Sequence, residues 1–314
     1  MMHGSMRFFG LLFSLALVAC AASSTAQTSR APSSTGPMSH AISKLREKGV
    51  NESFLTLLQD NYRESERARV LDLNILGFLR ERPEQDARIP AWELKRVEKF
   101  LRKFRTVFRE AEKKFRVPKE VVASLLWVET KYGRDIGTFH VGSTYLSLMQ
   151  ADYPTILDQT LDLAKSRTED FTREIEEKVI ERSKAKAEWA AEELIALQEM
   201  HRKGYKDAAK LEGSFSGAMG MAQFLPSSYL TWAKGRRKQP NLFRADDSIY
   251  SVANYLSVNG WQRKDKKAQE GALFHYNRSR DYVNRILRMS DCLRSPSKRK
   301  RWNSKRNIAS SRSC

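Results

Sequence analysis

The chain has 314 residues, 41% of them hydrophobic and 30% charged, a balance that supports one sizeable core or two smaller ones and excludes a fibrous or wholly disordered protein. Its 56 Lys and Arg against 37 Asp and Glu leave a formal charge of +19, so its preferred partners are anionic. Three cysteines and five scattered histidines argue against zinc chemistry, and neither a metal nor a cofactor is expected.

In chain order, Arg7 precedes an apolar run over 8–19. That run is too short to cross a bilayer as a mature helix but suits a signal-peptide core, so residues 1–19 are set apart from the fold. The run ends in Leu17-Val18-Ala19-Cys20, which resembles the bacterial lipobox. Cys20 is then expected to be lipidated, giving an exported, periplasmic protein with a membrane anchor; cleavage after the small residues of 21–26 is the alternative. Ala21 resembles an outer-membrane sorting signal. Residues 20–39, rich in Ser, Thr, Ala and Pro, read as a flexible tether.

Helical patterns begin near His40 and define an N-terminal helical region over 40–115. Asn51 precedes Phe54, Leu55, Leu57 and Leu58 as an N-cap, and a second stripe runs through Val70, Leu73, Leu76 and Leu79. After Pro83 and Pro90, the spacing of Val97, Phe100, Leu101, Phe104 and Phe108 predicts one helix over 93–115. Residues 116–290 form the next region. Within it, about 156–204, free of Gly and Pro up to Lys203, reads as one long helix or a helical hairpin, a solvated arm packed on one side. No alternating strand pattern is long enough for a large sheet, so the chain is mainly α. The tail, 291–314, has Lys298-Arg299-Lys300-Arg301 and no acid after Asp291. Behind an export signal its polyanions are cell-wall carboxylates or lipid head groups rather than nucleic acid, and a solvated tail without a dedicated partner is equally compatible. In an oxidising compartment Cys292 and Cys314 form a candidate disulfide pair.

The most informative residue lies in the helix expected over 118–132, which Pro118 starts and Gly133 stops. Val121, Val122, Leu125 and Leu126 mark its buried face, and continuing that face by three, four and seven residues lands on Glu129. A carboxyl group desolvated near a helix C-terminus has two reasons for a raised pKa, the property a general acid needs. The alternative is a buried ion pair with Lys131 or Arg134.

Glu129 stands in Trp127-Val128-Glu129-Thr130-Lys131-Tyr132-Gly133, and a glycine-rich stretch follows over 213–229, Gly213-Ser214-Phe215-Ser216-Gly217-Ala218-Met219-Gly220-Met221-Ala222-Gln223-Phe224-Leu225-Pro226-Ser227-Ser228-Tyr229. Together with Arg82-Pro83-Glu84, Asp152-Tyr153-Pro154, Asn259-Gly260-Trp261 and Tyr276-Asn277, these resemble the membrane-bound lytic murein transglycosylase B family over about two thirds of the chain. The resemblance implies a lysozyme-like catalytic core with additional N-terminal helices and a long helical insertion. It implies an enzyme that cuts the glycan strands of peptidoglycan and leaves 1,6-anhydro-N-acetylmuramic acid, with Glu129 as the single catalytic carboxylate. It carries over Ser214 as a hydrogen-bond donor near the reacting sugar, Gln223, Tyr255, Tyr276 and Asn277 as groove residues, and Met219 and Phe224 as apolar walls. Each has a structural alternative: Ser214 as a cap, Gln223 satisfying backbone groups, Tyr255 in the core. Three departures stand out. Residues 234–240 hold no carboxylate where some relatives carry a calcium loop, the charged helical segment is longer than in the family, and Trp127 replaces a small residue. Two other functions compete: a lysozyme-type hydrolase using Asp135, Asp152 or Asp246 as a second carboxylate, and a non-catalytic wall-binding lipoprotein.

Overall fold

The computed structural model describes residues 36–80, 88–205 and 207–295. The expected signal peptide, Cys20, nearly all of the tether, and the tail beyond 295 with Cys314 lie outside the described residues.

Helices dominate. The first three are α1 (Pro37–Glu47), α2 (Glu52–Asp60) and α3 (Arg67–Ile75). Asn51 occupies the N-cap of α2 without a side-chain capping bond; its backbone amide donates to Gln198 Oε1 at 2.7 Å. The stripe expected through Val70 to Leu79 is cut short, because α3 tightens into a 3-10 turn over Leu76–Leu79, and the buried set becomes Val70, Leu71, Ile75 and Leu76.

The single helix expected over 93–115 is two, α4 (Ala91–Lys103) and α5 (Arg105–Phe115). They meet at Phe104, whose φ of −109° and ψ of 28° interrupt the hydrogen-bond ladder, with the Phe100 ring 4.8 Å from Phe104 and 5.8 Å from Phe108. Next comes α6 (Lys119–Thr130), with Pro118 at the N-cap rather than inside the helix. A two-residue antiparallel pair, β1 (Phe139–His140) with β2 (Glu212–Gly213), places Phe139 opposite Gly213 and ties the chain after α6 to the start of the glycine-rich stretch.

Helix α7 (Val141–Met149) is buried throughout and capped by His140, whose Nδ1 accepts from the Ser143 amide at 3.1 Å. The segment expected as one long helix or a hairpin is α8 (Pro154–Lys165) and the 30-residue α9 (Arg173–Arg202), the latter capped by Thr172. Packed along one side, α9 buries Val179, Ala187, Ala190, Leu194 and Leu197 and contacts α3, α7, α8 and α10 (Pro226–Trp232). Alanines at the contact let the helix axes approach closely, so only the outer face stays charged.

Helices α11 (Ala245–Val258), α12 (Lys266–Tyr276) and α13 (Arg280–Arg294) complete the fold. Four helices, α4, α5, α11 and α13, surround α6, so that every residue from Val121 to Trp127 is buried. This explains why α6 has no polar face. All described residues fall within one compact unit. Among them, no helix is long and apolar enough to cross a membrane.

Candidate functional site

The site grows from the end of α6. Lys131, Tyr132 and Gly133 have φ of 52°, 63° and 85° in succession. Left-handed backbone costs a non-glycine residue about 1–2 kcal/mol, which packing must offset. At Tyr132 the ring stacks on Phe100 at 3.7 Å and 8°, and the hydroxyl donates to the Ala123 carbonyl at 3.1 Å. Thr130 closes the turn: its hydroxyl accepts from the Gly133 amide and donates to the Met221 carbonyl, both at 3.0 Å. The last turn of α6 is thereby fastened to the glycine-rich loop.

Glu129 lies one residue before that fastening and, like Val128, keeps an intermediate exposure after the buried run from Val121 to Trp127. The Tyr282 hydroxyl donates to its Oε1 at 2.5 Å. Among the described residues it has no ion-pair partner. Lys131 turns back instead, its ammonium 5.3 Å over the Trp127 ring and bonded to the Trp127 carbonyl at 3.4 Å. Burial pushes the Glu129 pKa from 4.5 to about 7, against the opposing pull of the Tyr282 hydrogen bond and the Lys131 charge.

Tyr282 reaches Glu129 because Ser279 caps α13, its Oγ accepting from the Tyr282 amide at 3.3 Å. Burial and the neighbouring carboxylate hold the Tyr282 phenol well above its usual range, so it remains a donor. From it an aromatic ladder leads away: Tyr276 stacks at 6.4 Å, Tyr255 lies 4.6 Å beyond, and Phe224 sits 5.9 Å from Tyr276 and 5.7 Å from Tyr255. The Tyr276 hydroxyl donates to the Ala222 carbonyl at 2.5 Å, and Tyr255, its pKa pushed by burial to about 12, bonds His275. Met219 joins through its amide, which donates to the Phe224 carbonyl at 2.8 Å.

Glu129, Met219, Phe224, Tyr255 and Tyr276 therefore form one cluster. Within it Met219, Phe224 and Tyr255 are buried and act as backing. Ser214 and Gln223 both do structural work: Ser214 Oγ accepts from the amides of Ser216 and Ala218, and Gln223 Nε2 donates to the carbonyls of Gly220 and Ile136. Among the described residues this leaves the Ser214 hydroxyl proton and the Gln223 carbonyl oxygen unused. Asn277 is exposed at the end of α12 and contributes only backbone bonds. Gly217 is required where it stands, since at φ 76° a Cβ would lie 2.3 Å from the Tyr145 ring.

Behind Glu129, Trp127 is 2% exposed and its indole N–H donates to Glu93 Oε2 at 2.7 Å, while Arg285 donates to both Glu93 oxygens at 2.8 Å. The ring that departs from the family pattern is thus paired through a buried carboxylate that links α4, α6 and α13. Among the candidate second carboxylates, Asp152 is bonded to His40 and Lys44, and Asp246 is paired with Arg237 and Arg244. Arg237, in the carboxylate-free stretch 234–240, also bonds Asp247. Asp135 is exposed. Cys292 is buried and disulfide-bonded, and Cys314 lies outside the described residues.

A helical core that presents one weakly solvated carboxylate beside a glycine-rich loop is the architecture of a lysozyme-like lytic transglycosylase, and the comparisons agree. The chain belongs to the family described as the transglycosylase SLT domain, whose model matches residues 44–273. It is similar to membrane-bound lytic murein transglycosylase B of Escherichia coli (strain K12), with 29% identity over 171 residues; the match spans 54% of this chain and 39% of that relative's length. Its fold is similar to that of soluble lytic transglycosylase SltB1 from Pseudomonas aeruginosa, with a TM-score of 0.61 and 19% identity over 84% of this chain and 99% of the other. SltB3 from Pseudomonas aeruginosa, solved in complex with NAG-anhNAM-pentapeptide, matches with a TM-score of 0.59 and 14% identity over 82% and 78% of the two chains.

Proposed function

We propose that this protein is a lytic murein transglycosylase that cleaves the β-1,4 bond between N-acetylmuramic acid and N-acetylglucosamine, with Glu129 acting first as acid and then as base. The observation that carries this reading is the state of Glu129: a carboxyl with a pKa of about 7, no ion-pair partner among the described residues and one tyrosine donor. Half of such groups are protonated near neutral pH, so one residue serves both steps. The Glu129 proton passes to the bridging oxygen as its bond to C1 breaks. The C6 hydroxyl of the same muramyl unit then attacks C1 and returns its proton to Glu129, leaving the 1,6-anhydro ring. Attack from within the sugar is already unimolecular, which is why no second carboxylate is needed to activate water.

In this reading Tyr282 orients the carboxyl, Ser214, Gln223, Tyr276 and Asn277 meet the sugars, and Met219, Phe224 and Tyr255 back the groove. Peptidoglycan as substrate is in keeping with the muropeptide in the SltB3 complex. Export to the periplasm, lipidation of Cys20, an outer-membrane location and a Cys292–Cys314 bridge complete the proposal and rest on the sequence signals. No cofactor enters it. The test is release of soluble fragments from purified sacculi: Glu129→Gln, nearly isosteric, is expected to cut turnover by about 10³-fold while binding sacculi as well as the wild type. A variant that keeps its activity contradicts the role of Glu129.

A further inference from the structure

The face of α9 that meets the end of α3 and its 3-10 turn carries Lys178, Arg182 and Lys186 in steps of four residues, which places three cations on one side of the helix. Like charges so spaced repel, and three acids of the same helix are committed elsewhere: Glu177 pairs with Arg173, Glu188 with Lys44 and Lys48, and Glu192 with Lys48. Glu174, at helical spacing to Lys178, forms no ion pair with it among the described residues. The cations lie instead on aromatic rings. Lys178 sits 4.5 Å over Phe78, Arg182 5.4 Å over the same ring, and Lys186 4.1 Å over Trp189. Lys186 is partly desolvated, and burial and the Arg182 charge lower its pKa.

Two chains of contact join this stripe to the candidate site. Arg182 donates to the Asn74 carbonyl at 2.7 Å, and the Asn74 side chain bonds both the Phe215 carbonyl and the Ser216 hydroxyl, beside Ser214. Trp189 packs on Tyr145, whose hydroxyl donates to the Gly217 carbonyl. Phe215, between them, is 39% exposed.

We infer that this stripe binds the carboxylate-bearing peptide stems of the glycan strand, a reading that rests on the transglycosylase proposal and adds a subsite to it. The lactyl group of a muramyl residue carries its peptide away from the sugar backbone, and a stem beside the Ser214 turn meets α9. From Lys178 to Lys186 the helix advances about 12 Å, the reach of roughly four extended residues. Aromatic platforms hold the ammonium groups in place before the anion arrives, which lowers the ordering cost of binding.

The test compares binding of soluble glycan strands that keep their stems with strands stripped by an amidase, in a Glu129→Gln background so that the outcome stands apart from whether Glu129 is catalytic. Lys178→Gln with Lys186→Gln leaves Arg182 and its backbone bonds in place. The expected result is that the preference for stem-bearing over stripped strands falls about fivefold, as one exposed and one half-buried charge pair imply, and that added salt erases the difference. Lys178→Arg with Lys186→Arg restores the preference. An unchanged preference overturns the inference, as does equal weakening on both substrates. Loss of binding to vesicles containing anionic phospholipid, with the strand preference intact, also overturns it and assigns the stripe to lipid head groups.

Discussion

At the residue scale, Glu129 does two things that pull in opposite directions. The burial that favours its protonated form also penalises its ionisation, so the acid role proposed for it and the stability of the fold share one titration. Its folded pKa of about 7 lies above the ordinary 4.5, so between these values the folded state holds more protons than the unfolded one. Stability therefore declines as pH rises from 4.5 through 7, by about 3 kcal/mol at most, and the penalty is complete above that window. Glu129→Gln is expected to melt higher than the wild type near pH 8 and at the same temperature near pH 4; equal melting at both pH values contradicts the raised pKa. Tyr282→Phe removes the donor that favours the carboxylate, so the alkaline limb of kcat/KM should move to higher pH while kcat falls about tenfold. An unmoved limb means that Tyr282 only packs. The unusual carboxylate was legible from helical spacing alone, because Glu129 continues the Val122, Leu125 and Leu126 face. Tyr282 was not, since nothing in local spacing tells that the first turn of α13 returns to a helix more than a hundred residues earlier.

At the element scale, the glycine-rich loop is a structural device before it is a binding one. Its carbonyls tie Thr130, Tyr145 and Tyr276 together, and it works only if the backbone passes hard against its neighbours. Gly217→Ala forces a Cβ into the Tyr145 ring at a φ that side chains avoid, and should cost about 2–4 kcal/mol in denaturant unfolding. A loss below about 0.5 kcal/mol means that the loop relaxes and is not rigid. The elements misjudged from sequence share a cause. The 93–115 periodicity runs unbroken through Phe104 because both helices bury the same aromatic face, so the bend between α4 and α5 left no trace in spacing. The one-sided packing of α9 was legible in Val179, Leu194 and Leu197, but the alanines at 187, 190 and 191 carry little hydrophobic signal, so the extent of its contact with α3, α7, α8 and α10 was not. Conversely, Ser214 and Gln223 are satisfied by their own loop, so their bonds alone do not distinguish a ligand-binding residue from a cap.

At the scale of the whole molecule, the mainly α lysozyme-like architecture followed from missing strand patterns and two signature stretches, and the family match over 44–273 covers both. What spacing withheld was assembly: α6 as the central helix, the Trp127, Glu93 and Arg285 link beneath it, and the two routes that join α9 to the site. Each depends on residues far apart in the chain, held by a core that local patterns do not describe. The net charge of +19 belongs to this scale too, since it favours anionic partners whatever the chemistry of the site. Digestion of sacculi in water enriched in heavy oxygen tests the proposed chemistry directly by the mass of the new chain ends. Anhydro ends without heavy oxygen are expected, because the sugar's own C6 hydroxyl closes the ring, and they should disappear in Glu129→Gln. Reducing ends that carry the heavy isotope would contradict it and make this protein a hydrolase.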